Sequence, residues 1–367
     1  MRYLFVNGSD EVWGAEESMV VLARSLMREG HEVSLDCFSE TVSEFWAREV
    51  NGNIRIVSRG PETISNVQKC WRYAFYKLPD PEPQAVIIFS HFLFPKAFVE
   101  KLRAFVTSRL TSQPIWAIDL HDNFRSWKSV INMNFFARSV DKIVSVSNFT
   151  ARQLHRSCLP RVLVCTRALE LEIGDRIAEK KPQSKEILNV GIVGRLDPEK
   201  NHLILGQALS LTSKPHRMII RGKSSSYFPN YSDELLKELD AMLGKRLVYE
   251  GTVPRQEAMR GIDLLVVANA FEPMGRTVLE AMNSGVPVIV PDRGGSSELV
   301  TDLATGLMYK AEDAISLSQV IDYAADNQHE IAGFAYLARQ RLFQEHNSST
   351  YGQVIHDFIS CKIINDR

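Results

Sequence analysis

The sequence predicts two α/β domains in succession, each a doubly wound parallel sheet. Three observations carry this. A chain of 367 residues exceeds what a single core ordinarily organises. Short apolar runs alternate with longer amphipathic stretches through both halves, the pattern of parallel strands joined by crossover helices. The alternation breaks once, at 169–185, which ends in the polar, lysine-rich run IAEKKPQSK. The expected domains are therefore 1–168 and 186–347, with 169–185 as linker and an amphipathic helix within 348–367 returning to the first domain.

In the first half the apolar runs place strands at Tyr3–Val6, Glu32–Phe38, Ile54–Ser58, Ala85–Phe89, Ile115–Asp119 and Lys142–Val146. Between the first two, Met19, Val20, Ala23, Leu26 and Met27 recur at helical spacing and Gly30 ends the helix. In the second half, strands are expected at Ile187–Val193, Arg217–Arg221, Leu247–Glu250, Asp263–Val267 and Pro287–Val290. Helices are expected at Asn201–Leu211, Leu235–Leu243, Arg276–Asn283 and Ala314–Asp326. Ligands of such folds bind at the carboxyl edges of the strands, here expected to face each other across one cleft.

With 43 basic and 44 acidic side chains the chain has no global field to recruit nucleic acid. Five scattered cysteines without a C-x-x-C pair argue against a zinc site or disulfide framework and for a reducing, cytoplasmic setting. MRYLFVNG is too short in apolar residues for a leader and reads as a buried strand. No window approaches the roughly 20 apolar residues of a membrane span, so the expectation is a soluble protein or one resting on a membrane surface.

The densest chemistry lies in FEPMGRTVLEAMNSGVPVIV, Phe271–Val290. A helix opening near Gly275 presents unpaired amides and the positive end of its dipole, where Gly275, Arg276 and Thr277 can cradle a phosphate. Glu280, about a turn into that helix, suits the two hydroxyls of a ribose, and Glu272 on the loop ahead is left to face a sugar. Taken alone, two acids around a helix start are more often plain dipole partners.

Four further segments accompany it in order: GIVGRLDPEKN (Gly191–Asn201), RGKS (Arg221–Ser224), YEGTVPRQE (Tyr249–Glu257) and GVPVIVPDRGGSSELV (Gly285–Val300) with ATGLMY behind it. Together they resemble glycosyltransferase family 4, the retaining enzymes of the GT-B fold, which pairs two Rossmann-like domains. The resemblance implies a nucleoside-diphosphate sugar, UDP- or GDP-linked, as co-substrate. It puts Arg195 and Lys200 on the diphosphate, a planar fork and a point charge, and Glu280 on ribose. It sets Glu272 against the donor sugar, the backbone of Met274–Thr277 around phosphate and sugar, Gly222 at the next strand end, and Val253 in the segment that meets the base. Met274 and Pro273 stand where many members have Phe and Gly.

The N-terminal half matches more loosely. WGAEESMVVLARSLMREGHEV (Trp13–Val33) resembles the family's glycine loop and first helix, with Gly14 toward the diphosphate and Glu16 read as an ordinary first-turn acid. DLHDN (Asp119–Asn123) places His121 where the family has an active-site histidine, and Ser147 reads as a helix cap. One departure is LVCTRALELE (Leu163–Glu170), which lacks the family's Asn-Gly turn. Catalytic roles fall to Glu272, His121, Arg195 and Lys200. No D-x-D pair sits at a strand end; Asp80 and Glu82 lie in a proline-rich turn, so no metal is expected. Expected acceptors are saccharides, lipid-linked or small molecules. A nucleotide-sugar epimerase or hydrolase, and a non-catalytic nucleotide-sugar-binding protein, are the competing readings. VQKCWRYAFYKLP (Val67–Pro79) mixes Lys69, Arg72 and Lys77 with aromatics; it suits either a helix packed on the sheet or peripheral contact with a lipid surface.

Overall fold

The computed structural model describes residues 1–50, 52–57, 65–90, 93–106, 114–170, 185–225, 227–346 and 348–361. The chain divides into two compact units, Met1–Glu170 with His346–Arg367, and Leu171–Glu345. The first unit runs two residues past 168: Leu169 is buried and donates its N–H to the His346 carbonyl, and Glu170 pairs with Arg24 and Arg28. Most of the expected linker, 171–184, lies outside the described residues.

The first unit is a seven-stranded, all-parallel sheet. Its strands are β1 (Arg2–Asn7), β2 (Glu32–Cys37), β3 (Asn53–Ile56), β4 (Ala85–Ile88), β5 (Ile115–Leu120), β6 (Lys142–Ser145) and β7 (Val162–Val164), in the order β3-β2-β1-β4-β5-β6-β7. Neighbours are parallel throughout. β1 shows why the sheet is buried on both faces. Tyr3 and Phe5 enter one core, Leu4 and Val6 the other, the period of two that a strand imposes.

The core around Phe5 and Trp46 involves α1 (Gly14–Arg28) and α2 (Glu40–Glu49). The core around Trp116 involves α3 (Asn66–Ala74), α4 (Pro95–Val106) and α5 (Trp127–Ala137). A four-residue turn of helix, α6 (Asn148–Ala151), follows β6; the Ser147 hydroxyl accepts from the Thr150 N–H at its start, a plain cap. α4 and α5 were not legible as amphipathic stretches, and α5 shows the reason: it carries buried Met133 and Ala137 on one side and exposed Trp127, Ile131 and Phe135 on the other.

The second unit holds β8 (Leu188–Val193), β9 (His216–Arg221), β10 (Leu247–Gly251), β11 (Leu264–Val266), β12 (Val288–Pro291) and β13 (Leu307–Tyr309). They form a parallel sheet ordered β10-β9-β8-β11-β12-β13. Around it are α7 (His202–Leu211), α8 (Tyr231–Leu243), α9 (Arg276–Ser284), α10 (Ala314–Asp326) and α11 (Gln328–Glu345). α7 and α8 pack so closely that a Cβ on Gly206 would come within 2.3 Å of Leu239.

The last helix, α12 (Ser348–Ser360), belongs to the first unit. Ser25 on α1 donates to the Ser348 carbonyl and accepts from the Gly352 N–H, at 2.7 and 2.8 Å, and Ile355 and Ile359 are wholly buried. Residues 362–367 of the expected helix lie outside the described residues. Among those described, no helix is long and apolar enough to cross a membrane.

Candidate active site

Parallel strands deliver all their carboxyl ends to one edge, and an open sheet offers a crevice where strand order reverses. In the second unit that reversal falls between β8 and β11, and the chemistry-bearing loops flank it. After β8 the chain runs Gly194–Asn201. Asp197 caps the short turn Pro198–Lys200: its carboxylate accepts the Lys200 N–H at 3.2 Å and lies 3.2 Å from the Arg195 guanidinium. One buried acid thus fixes the backbone turn at Lys200 and holds the Arg195 guanidinium. Asn201, at φ 50, reverses the chain into α7.

After β11 the loop Asn269–Gly275 carries Glu272. Lys200 donates to Glu272 Oε2 at 2.8 Å and Asn269 Nδ2 donates to the same oxygen at 3.0 Å. The Glu272 side chain is only 15% exposed. Burial alone would raise its pKa, but Lys200, Asn269 and Arg195 outweigh it and hold the carboxyl below its ordinary value. Asn269 also accepts the Phe271 N–H at 2.9 Å. It shapes the loop and touches the acid together.

The same loop rests on Gly294–Ser296. The Gly295 N–H donates to the Glu272 carbonyl at 2.7 Å, and a Cβ on Gly295 would come within 1.9 Å of the Pro273 carbonyl. Gly275, at φ 98, then opens α9 without a capping side chain, so the first amides of a nine-residue helix end beside the cluster. Met274 is buried and Thr277, on the first turn, is half-buried. One turn on, Glu280 receives Arg276 at 3.1 Å and Arg255 at 3.2 Å, both on Oε1. Its side chain, 16% exposed, is shared between its own helix and the segment after β10. Arg221 sets that segment, pairing with Glu250 and donating to the carbonyls of Glu257 and Ala258. Val253 is half-buried on it. Gly222 abuts Gly194 so tightly that a Cβ would reach its carbonyl at 1.8 Å; the glycine lets adjacent strand ends lie flat.

In the first unit, Gly14 opens α1, exposed. Glu16 departs from its expected role as an ordinary first-turn acid. It is buried, and it accepts from Asn7, Ser9 and the Trp13 N–H at 3.0, 2.6 and 2.9 Å, fixing the loop that precedes the helix. Lys69, expected on a basic helix surface, is buried too and donates to the Gly8 carbonyl and Asp10. His121 follows β5 and contacts Asp119 Oδ1 through Nδ1 at 3.0 Å. Asp119 is gripped through both oxygens by Arg167, which also donates to the Tyr351 hydroxyl at 2.9 Å. Burial lowers the His121 pKa, but Asp122 and Asp119 outweigh burial and Arg167 and leave it above the ordinary value. Arg167 comes from the stretch that lacks the Asn-Gly turn.

The structure thus brings together Arg195, Lys200, Glu272 and the start of α9, with Gly222 and Glu280 on the same unit; His121 and Gly14 sit at the carboxyl edge of the first unit's sheet. Sequence reasoning missed Asp197, Asn269 and Arg167. Asp-Pro before a turn was a readable cap signal for the first. The other two act through contacts that no spacing announces. Among the described residues no cluster of metal-ligating side chains occurs.

Two parallel-sheet α/β units of this topology define the GT-B class. HepE from Anabaena, solved with UDP and glucose, superposes with a TM-score of 0.77 over 98% of this chain and 99% of its own, at 19% identity. Sucrose-phosphate synthase from Thermosynechococcus elongatus does so at 0.74 over 97% of each chain, at 15% identity. Within that class, residues 175–341 match the family model for glycosyl transferases group 1, so the second unit carries a glycosyltransferase domain. A GDP-mannose-dependent alpha-mannosyltransferase of Mycobacterium tuberculosis is 28% identical over 217 residues, 56% of this chain and 53% of that protein. The lipopolysaccharide core mannosyltransferase LpsB of Rhizobium meliloti is 35% identical over 113 residues, 29% of this chain and 31% of that protein. The chain spans about half the length of the first relative and less of the second.

Proposed function

We propose that the chain is a retaining glycosyltransferase of family 4, moving a sugar from a UDP- or GDP-linked donor to a hydroxyl of a saccharide or glycoconjugate. The observation that supports this most is the convergence of Arg195, Lys200 and Glu272 beside the start of α9, at the reversal of strand order. The diphosphate sits against the helix amides with the two cations on its oxygens, which offsets its charge without a metal. Glu280 holds the ribose, Glu272 faces the donor sugar, and His121 is the first unit's candidate catalytic side chain. All five cysteines are free, which suits a cytoplasmic setting.

In the reaction the acceptor oxygen bonds to the anomeric carbon on the face from which the diphosphate departs. The bond from that carbon to the β-phosphate oxygen breaks, and the departing phosphate takes the acceptor's proton. Catalysis is then positioning plus stabilisation of charge on the leaving group. Thermal shift against a panel of nucleoside diphosphates and their sugars names the donor base, since a ligand of the native state raises the melting point. Following the shifting donor with and without saccharide acceptors tests transfer. Acceptor-dependent release of nucleoside diphosphate is the expected result. Equal release without acceptor, or isomerisation of the donor, overturns the reading.

A further inference from the structure

Helices α3, α4 and α5 cover one face of the first unit's sheet, and their outer sides carry rows of apolar residues. On α3, Val67 and Trp71 lie four residues apart, with Phe75 four further at its C-cap; on α5, Trp127, Ile131 and Phe135 repeat that spacing. These six are between 52% and 70% exposed. α4, between them, adds exposed Phe98 and Leu102. The helices form one layer: Phe98 meets Phe135 and Phe136 with ring centroids 5.8 and 6.3 Å apart, and Lys96 of α4 donates to the Ala74 carbonyl at the end of α3. Their opposite sides are committed to the core through Tyr73, Ala97, Met133 and Ala137, so the outward rows are in addition to the fold's own needs. A contiguous apolar face of this kind marks an interaction site.

Charge identifies the partner. Neither 65–78 nor 124–138 contains an acidic residue, in a chain with 44 of them. Arg72, Lys77, Arg125, Lys128 and Arg138 in those stretches are all exposed, and the Lys128 ammonium lies 5.7 Å from the Trp127 ring. Exposed indoles and aliphatics interleaved with cations match the boundary of an anionic bilayer, where acyl chains take the apolar rows and headgroups the cations. A second copy of the chain is a poor fit, because a twofold contact would set these cations against themselves.

We infer that the α3–α5 face is a docking surface for an anionic lipid bilayer. It borders the first unit's candidate residues: α5 begins six residues after His121, and Lys69 of α3 is bonded to the Gly8 carbonyl in the loop before α1. The corollary that the acceptor is presented at the bilayer rests on the transferase reading; the docking does not.

The test is sedimentation of the purified chain with vesicles of phosphatidylcholine, with and without phosphatidylglycerol, carrying neither donor nor acceptor. Binding to the anionic vesicles, with tryptophan emission moving to the blue, is expected, and a rise in salt should weaken it. The double variant Trp71→Ser/Trp127→Ser should lose binding about tenfold or more. Arg72→Glu/Lys128→Glu should lose roughly fivefold or more per site. Both should melt as the wild type does, since the altered side chains are exposed. No binding to anionic vesicles at about 0.1 M salt overturns the inference. So does self-association in sedimentation velocity that the tryptophan variants abolish while vesicles recover no protein. A chain that binds vesicles but transfers no sugar retains the docking surface and loses only the transferase reading.

Discussion

Lys200 and Glu272 are bonded at 2.8 Å across the point where strand order in the second sheet reverses. The pair joins the loop after β8 to the loop after β11, and it holds an acid in place that burial would otherwise push toward its neutral form. On the proposed reading, a diphosphate arriving at the start of α9 competes with Glu272 for the lysine.

That competition gives a prediction. Glu272→Gln frees Lys200, so a nucleoside diphosphate without its sugar should bind more tightly, by roughly threefold to tenfold, the net worth of one ordinary hydrogen bond. On the proposed reading of Glu272 as the charge facing the donor sugar, transfer should fall by at least about a hundredfold. Lys200→Ala should weaken diphosphate binding by about tenfold or more. Calorimetry on the two variants measures this, and weaker binding to Glu272→Gln would show that the lysine is not shared.

The Arg167–Asp119–His121 chain carries the second prediction. Asp119 and Arg167 are both almost fully buried, and removing one partner leaves the other charge in low dielectric, at about 3–5 kcal/mol. Arg167→Met should destabilise by that order in chemical denaturation. The histidine adds a pH signature. Its folded pKa is raised, so its stabilising contribution is complete below the unfolded value of about 6.5 and is lost as pH rises through the folded value. The stability difference between wild type and His121→Gln should therefore be largest in acid and shrink on the alkaline side. A difference independent of pH would mean that Asp119 does not hold a charged imidazole.

Much of this was legible in the sequence, for local reasons. β1 and α1 announce themselves by the periods of two and 3.6, and the Gly275 helix start by its neighbours. α5 escaped because it is apolar on two sides, one for the core and one exposed, so no single stripe stands out. Glu16 was misread because its partners, Asn7 and Ser9, lie on the preceding strand and loop. Arg167 was invisible: its importance comes from Asp119 and Tyr351, far along the chain, and only folding sets them side by side.

Two glycines separate crowding from backbone strain. Gly30 follows α1 at φ 79 with open space where a Cβ would go, so Gly30→Ala should cost about 1–2 kcal/mol for left-handed backbone and nothing more. Gly295 would drive its Cβ to 1.9 Å from the Pro273 carbonyl, on the loop that carries Glu272. Gly295→Ala should cost about 3 kcal/mol or more, and it should also weaken nucleotide binding as that loop shifts. Denaturation and calorimetry on both variants distinguish the cases. Equal effects on binding would remove the loop support assigned to Gly295.

His202 supplies the last test. It is the first residue of α7, wholly buried, with no hydrogen-bond partner for either ring nitrogen among the described residues. Burial, and then Lys200 nearby, lower its pKa to about 4. The unfolded chain therefore binds a proton that the folded chain refuses, so stability falls as pH drops from about 6.5 toward 4. At about 1.4 kcal/mol per pH unit, the loss by about pH 5 is on the order of 2 kcal/mol. Glu272 and Asp119 have pKa values below their ordinary ones, so neither titrates in the upper part of that window. His31 and His216 also have lowered pKa values and add to the same slope. His202→Leu, which removes the buried polar atoms, should therefore make the pH dependence shallower without abolishing it, while leaving neutral-pH stability equal or higher. An unchanged slope in the variant would mean that His202 contributes nothing to it and is solvated in the folded chain.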